Sequence, residues 1–118
     1  MRARAGDIII AATDGVTDNL FDEKLQGIVS AEVRSLRAGP AAACAAALAS
    51  LASKLADEAR RVGERQDDPA VSTPFSVHAA VEGYQAPGGK LDDVAVVVAM
   101  VRQGAADETW QHQLLSNF

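Results

Sequence analysis

The stretch Gly6-Asp7-Ile8-Ile9-Ile10-Ala11-Ala12-Thr13-Asp14-Gly15-Val16-Thr17-Asp18-Asn19 decides how the rest of the chain is read. Three consecutive β-branched isoleucines lie in a short apolar run bounded by Gly6 and by Asp14-Gly15. Such a run predicts a strand buried on both faces rather than a helix. Its counterpart is Gly88-Gly89-Lys90-Leu91-Asp92-Asp93-Val94, which opens a valine-dense run from Val94 to Val101 and predicts a second buried strand. Asp14 thus closes one strand and Asp92 opens the other. Carboxylates held at strand ends by a rigid sheet suit Mg²⁺ or Mn²⁺, which take several oxygen ligands in near-octahedral geometry.

Outward from these two runs the period changes. From Phe21, Leu25, Ile28, Val29, Val33 and Leu36 recur at helical spacing, with Asp22 and Glu23 in the first turn, where negative charge complements the helix dipole. Gly39-Pro40 ends that helix and starts a longer one, expected from about Pro40 to Arg65. Its apolar stripe is Cys44, Leu48, Leu51, Leu55, Ala59 and Val62. The alanine-rich opening, Ala41 to Ala49, predicts a slim helix packed closely on a sheet, and the two helices are expected to form an antiparallel hairpin. A proline-marked connection from Asp67 to Pro74 leads to a short helix over Phe75 to Glu82. Residues 104–118 read as a polar tail, a weak helix or a frayed end.

A length of 118 residues suits one domain. With 48% hydrophobic but only 4% aromatic residues, the core must be built from Ala, Val, Leu and Ile. A net charge of −5 without a Lys/Arg cluster argues against nucleic acid as a partner, because that affinity comes from neutralising phosphates. Cys44 is the single cysteine, so no intramolecular disulfide forms, and its alanine neighbours mark it as a small buried hydrophobe. The longest apolar stretch is far short of the ~20 residues of a membrane span. Met1-Arg2-Ala3-Arg4 leads almost at once into the first strand, which is read as leaving no room for a targeting peptide.

Each motif has a plainer reading. Taken alone, Asp14-Gly15 is a hairpin turn signal. The residues after it, Val16 to Phe21, do not alternate as a returning strand and move towards a helix. Asp18 is then either a cap for that helix or a second carboxylate on the same loop, with the cap favoured in isolation. Asp92-Asp93 alone can mark a solvated turn, yet adjacent carboxylates repel unless a cation or donor relieves them. One is expected to face a metal while the other turns to backbone or to groups surrounding the ion. His78 and His112 lack metal-ligand spacing and read as structural. Ser76 lacks the Gly-x-Ser-x-Gly context of a nucleophile. Gly88-Gly89-Lys90 lacks the spacing of a phosphate loop, and Lys90 is expected beside the acidic residues as a surface charge.

Together, Asp14-Gly15-Val16-Thr17-Asp18-Asn19 and Gly89-Lys90-Leu91-Asp92-Asp93 resemble two motifs from the C-terminal half of the metal-dependent type 2C protein phosphatases. Thr73-Pro74-Phe75-Ser76 before the Gly88–Asp93 loop is similar to the family's organellar branch of mitochondria and plastids. The resemblance covers roughly residues 6–101. It implies an α+β fold, with residues 1–103 as part of a type 2C β-sandwich flanked by a long helix hairpin. It implies two bound divalent cations (Mg²⁺ or Mn²⁺), with Asp14 and Asp92 as ligands of one, Asp18 as a ligand of a further ion and Asp93 in a supporting position.

The activity implied is hydrolysis of phosphoserine or phosphothreonine in a protein substrate by a metal-activated water. The family's N-terminal half supplies a Glu, an Asp-Gly pair and a phosphate-binding Arg that have no counterpart here. The chain by itself is therefore expected to be an inactive fragment and to self-associate. Two alternatives are a SpoIIE-like regulatory phosphatase and a non-catalytic interaction module of pseudophosphatase type.

Overall fold

A computed structural model of the chain describes residues 2–37 and 40–104. The isoleucine run forms β1 (Ile8–Ala12) and the valine run forms β2 (Val96–Met100). They pair as a two-stranded antiparallel sheet in the register Ile8↔Met100, Ile10↔Val98 and Ala12↔Val96. The ladder continues past both ends: the Gly6 N–H donates to the Val101 carbonyl at 2.8 Å, and the Thr13 N–H to the Ala95 carbonyl at 3.0 Å.

Among the described residues only one face of this sheet is covered. Ile8, Ile10, Val96, Val98 and Met100 pack on the cluster centred on Leu36, Leu51 and Leu55, whereas Ile9 is 49% and Val97 65% exposed. The expectation of strands buried on both faces is corrected here. Alternate residues of a strand point to opposite faces, and these elements supply a layer for one of them. Among the described residues there is one small antiparallel sheet, which with the helices makes the mixed α+β fold expected.

The helices follow their apolar spacing. After β1 comes a single turn, α1 (Asp14–Thr17), then α2 (Asp22–Arg37) and α3 (Ala41–Gly63). Ion pairs fix the direction of the hairpin. Lys24 near the start of α2 meets Glu58 late in α3 at 3.6 Å, and Glu32 further along α2 meets Lys54, so the helices run antiparallel. Each such pair contributes about 1 kcal/mol or less. The register rests on burial: Leu51, Leu55 and Ala59 of α3 are fully buried, and Cys44 nearly so. Cutting either leucine to alanine would cost about 2–5 kcal/mol through lost transfer energy and the cavity left behind.

The last helix, α4 (Pro74–Val81), starts one residue earlier than its apolar pattern predicts because its N-terminus is built by a capping box. The Thr73 hydroxyl accepts from the Ser76 N–H at 3.0 Å, and the Ser76 hydroxyl accepts from the Thr73 N–H at 2.9 Å. Pro74 occupies the first helical position, where a missing N–H costs nothing.

Candidate metal centre

Asp14-Gly15 does not turn the chain back on itself. Its antiparallel partner comes from the other end of the chain, and Asp14 instead opens α1, whose Val16 N–H donates to the Thr13 carbonyl at 3.0 Å. Val16 and Leu20 are buried against Ala59, with Leu25, Val62 and Val94 around them, so α1 is anchored to the C-terminal half of α3. The hairpin-turn reading is therefore replaced by a strand-to-helix junction.

Thr13 ties that junction to the second motif. Its hydroxyl donates to the Asp93 carbonyl and accepts from the Ala95 N–H, both at 3.0 Å. Gly15 lies so close beneath the same loop that a Cβ there would collide with the Asp93 carbonyl oxygen. The two aspartate motifs are brought together by one hydroxyl and one missing side chain.

The loop carrying Lys90 is held from below. Asn19 is 3% exposed. Its Oδ1 accepts from the Lys90 N–H at 2.8 Å, and its Nδ2 donates to the carbonyls of Lys90 at 2.9 Å and Gly15 at 2.7 Å. Behind the loop, a Cβ on Gly89 would strike the carbonyl of Val62, and Gly88 sits at φ +84°, where an L side chain is strained. The fully buried Thr73 donates from Oγ1 to the Gly88 carbonyl at 2.7 Å. Thr73-Pro74-Phe75-Ser76 and the Gly88–Asp93 loop are thus two halves of one hydrogen-bonded unit. The Phe75 N–H also donates to the Asp18 carbonyl at 2.9 Å, joining α4 to the end of α1.

On this base Asp14, Asp18 and Asp92 converge, each offering a carboxylate oxygen within 4.8 Å of the others. Asp18 is not a cap for α2; it occupies the C-terminal cap position of α1, four residues before α2 begins, and its carboxylate turns to Lys90. The Lys90 Nζ lies 3.3 Å from Asp18 Oδ2 and 3.9 Å from Asp92 Oδ2. The hydrogen bond to Asp18, with the charges of Asp92 and Asp14 behind it, holds the Lys90 ammonium above its usual range. Three carboxylates against one ammonium leave an excess of negative charge at the junction. An all-oxygen anionic donor set of this kind fits Mg²⁺ or Mn²⁺ and not a soft, thiolate-seeking metal.

Asp93 lies outside the convergence. Its N–H donates to Asp92 Oδ1 at 2.8 Å, which orients that carboxylate through the main chain. His78 is exposed and lies 3.3 Å from Glu82 one turn on, and Cys44 is a buried free thiol. Ser76 caps a helix. His112 and residues 105–118 of the tail lie outside the described residues. Sequence reasoning missed the part played by Asn19, for which the only signal was its place directly after Asp18 in the first motif. It missed the buried role of Thr73 as well.

Strand-end carboxylates above an antiparallel sheet, with a long helix hairpin on its inner face, make this an α+β protein with a cluster of three acidic residues that could hold a metal ion. Its fold is similar to that of the photosystem II phosphatase PBCP, with a TM-score of 0.62 at 24% identity over 86% of this chain and 38% of that one. Among curated sequences it is 41% identical over 100 residues to the probable protein phosphatase 2C 80 of Arabidopsis thaliana, covering 83% of this chain and 21% of that protein. It is 40% identical over 99 residues to the probable protein phosphatase 2C 71 of Oryza sativa subsp. japonica, covering 83% and 19%. No family model matches the chain. The chain belongs to the type 2C protein phosphatase family. It spans about a fifth of the length of the curated relatives it matches.

Proposed function

We propose that this chain supplies one side of the metal site of a Mg²⁺- or Mn²⁺-dependent phosphatase acting on phosphoserine and phosphothreonine in proteins. The observation that carries this reading is the convergence of Asp14, Asp18 and Asp92 at a junction built from the two family-like motifs. Asp14 and Asp92 would hold one ion, Asp18 a further one, and Asp93 would keep Asp92 in place through its N–H. Bound divalent ions supply Lewis-acid activation of water and neutralise charge on the phosphoryl oxygens. The chain's own contribution is to fix three carboxylates on a rigid junction, where their negative charge exceeds that of the one ammonium bonded to them and favours a divalent cation.

Hard divalent ions take about six oxygens, and three carboxylates do not fill that shell. The chain alone is therefore proposed to be inactive, with catalysis belonging to a longer protein. The likeness of its motifs to the organellar branch supports a mitochondrial or plastid setting, testable by fractionation of the tagged complete protein.

The deciding experiment compares phosphopeptide hydrolysis by the complete protein with Mn²⁺ titrated in. Asp14→Asn and Asp92→Asn should each abolish most turnover while the circular dichroism spectrum is kept, and Asp93→Asn should be milder. A complete protein indifferent to Mn²⁺ and to loss of Asp14 would instead be a binding module.

A further inference from the structure

Among the described residues Lys90 is the one cation bonded to this acidic junction, and its ammonium lies between two kinds of partner. The ammonium touches Asp18 and Asp92 at 3.3 and 3.9 Å. It also lies 5.6 Å from the centroid of the Phe75 ring, within range of a cation–π contact. Its main chain, by contrast, is pinned on both sides by Asn19 and backed by Gly63, whose ideal Cβ would lie 3.1 Å from the Lys90 carbonyl oxygen. The backbone is fixed, and only the flexible four-carbon stem can move the charge.

From this arrangement we infer that Lys90 is a built-in counter-ion that competes with divalent cations for the Asp18 and Asp92 carboxylates. This inference rests on the metal-site reading above. When no metal is bound, the ammonium relieves the repulsion of carboxylates crowded within 4.8 Å. A metal ion drawing on the same oxygens forces the ammonium away, and the Phe75 face receives it. Lys90 is thus a positioning residue that sets how much metal the site requires, and it holds the acidic junction together between occupancies.

The test is a Mn²⁺ titration of the ¹⁵N-labelled full chain, following paramagnetic broadening of the amides of Asp14, Asp18 and Asp92. Lys90→Met keeps the stem and removes the charge. It should lower the half-broadening concentration roughly tenfold, the size expected for removing a unit charge a few ångströms from a divalent ion in a water-like dielectric. Lys90→Arg keeps the charge and should stay within about twofold of the wild type, and it guards against a fold defect in the methionine variant. Equal affinity in Lys90→Met and the wild type, with broadening still lost in Asp92→Asn, overturns the role of Lys90 and leaves the metal site standing. Absence of any site-specific broadening, in wild type and Asp92→Asn alike, overturns both.

Discussion

Asn19 grips the main chain of Lys90 in both directions, accepting from its N–H at 2.8 Å and donating to its carbonyl at 2.9 Å. A side-chain carboxamide is the natural group for this task. It offers one acceptor and two donors, and the second donor hydrogen is used on the Gly15 carbonyl at 2.7 Å. A single buried residue therefore joins α1, the Lys90 loop and, through it, the converging carboxylates.

Replacing Asn19 with alanine should leave three backbone groups without this partner, the carbonyls of Gly15 and Lys90 and the Lys90 N–H. Each unmet group costs about 1–3 kcal/mol, so Asn19→Ala should lower stability by roughly 2–4 kcal/mol in urea unfolding. Asn19→Asp keeps the acceptor but turns a donor into an oxygen facing two carbonyls, and it should be at least as damaging. A loss under about 0.5 kcal/mol for both variants would mean that the clamp is replaced by water.

The glycines of the chain should divide sharply. Gly27 lies within α2 with nothing close to its missing Cβ, so Gly27→Ala should stabilise by about 0.5–1 kcal/mol through helix propensity. Gly89→Ala would drive a methyl into the Val62 carbonyl and push the loop off α3. Thermal melts should move in opposite directions for the two variants, with Gly89→Ala also weakening Mn²⁺ binding.

Stability should fall on the acid side in part through Glu58. Its bidentate hydrogen bonds from Arg61, at 3.0 and 2.7 Å, hold its carboxyl below the ordinary value of 4.5, aided by the charges of Arg61 and Lys24 and opposed by partial burial. A lowered folded pKa gives stability that is fully present above the unfolded value and lost as pH falls through the folded one. Glu58→Gln should therefore cost about 1 kcal/mol or less at neutral pH, and its difference from the wild type should shrink from about pH 4.5 downward. Urea midpoints across that range read the effect, and a gap that widens in acid would refute it.

Self-association is expected of the chain on its own. Both strands are edges of a two-stranded sheet, and one face presents Ile9 and Val97 to solvent. Open edges and apolar faces recruit other chains, against a net charge of −5 that opposes them. Sedimentation at about 50 μM should show a dimer or larger species, and Ile9→Lys, placed on the open face, should shift it towards monomer without unfolding it. A dispersed wild-type monomer would remove this expectation.

Much of the fold was legible because local periodicity is a property of neighbouring residues. The isoleucine and valine runs and the stripe from Cys44 to Val62 appear where short-range spacing and propensity place them, and α4 begins one residue before the helix read from Phe75. The two motifs with Asp14 and Asp92 lie on loops that the fold brings together, and carboxylates at strand ends are visible in a string of letters. What periodicity reports is an element's own preference, not what covers it. That is why burial on both strand faces was expected and one face proved open.

Sequence by itself therefore determined the elements, the acidic junction's composition and its resemblance to type 2C phosphatases. Tertiary structure decided the rest. It set the approach of Asp14 to Asp92 through Thr13 and Gly15, the clamp of Asn19 on Lys90, and the bond from Thr73 to Gly88. The physical reason is distance along the chain. Each of these contacts joins residues with no local pattern linking them, and each forms only when helices and strands pack closely enough for one buried hydrogen bond or one missing Cβ to matter.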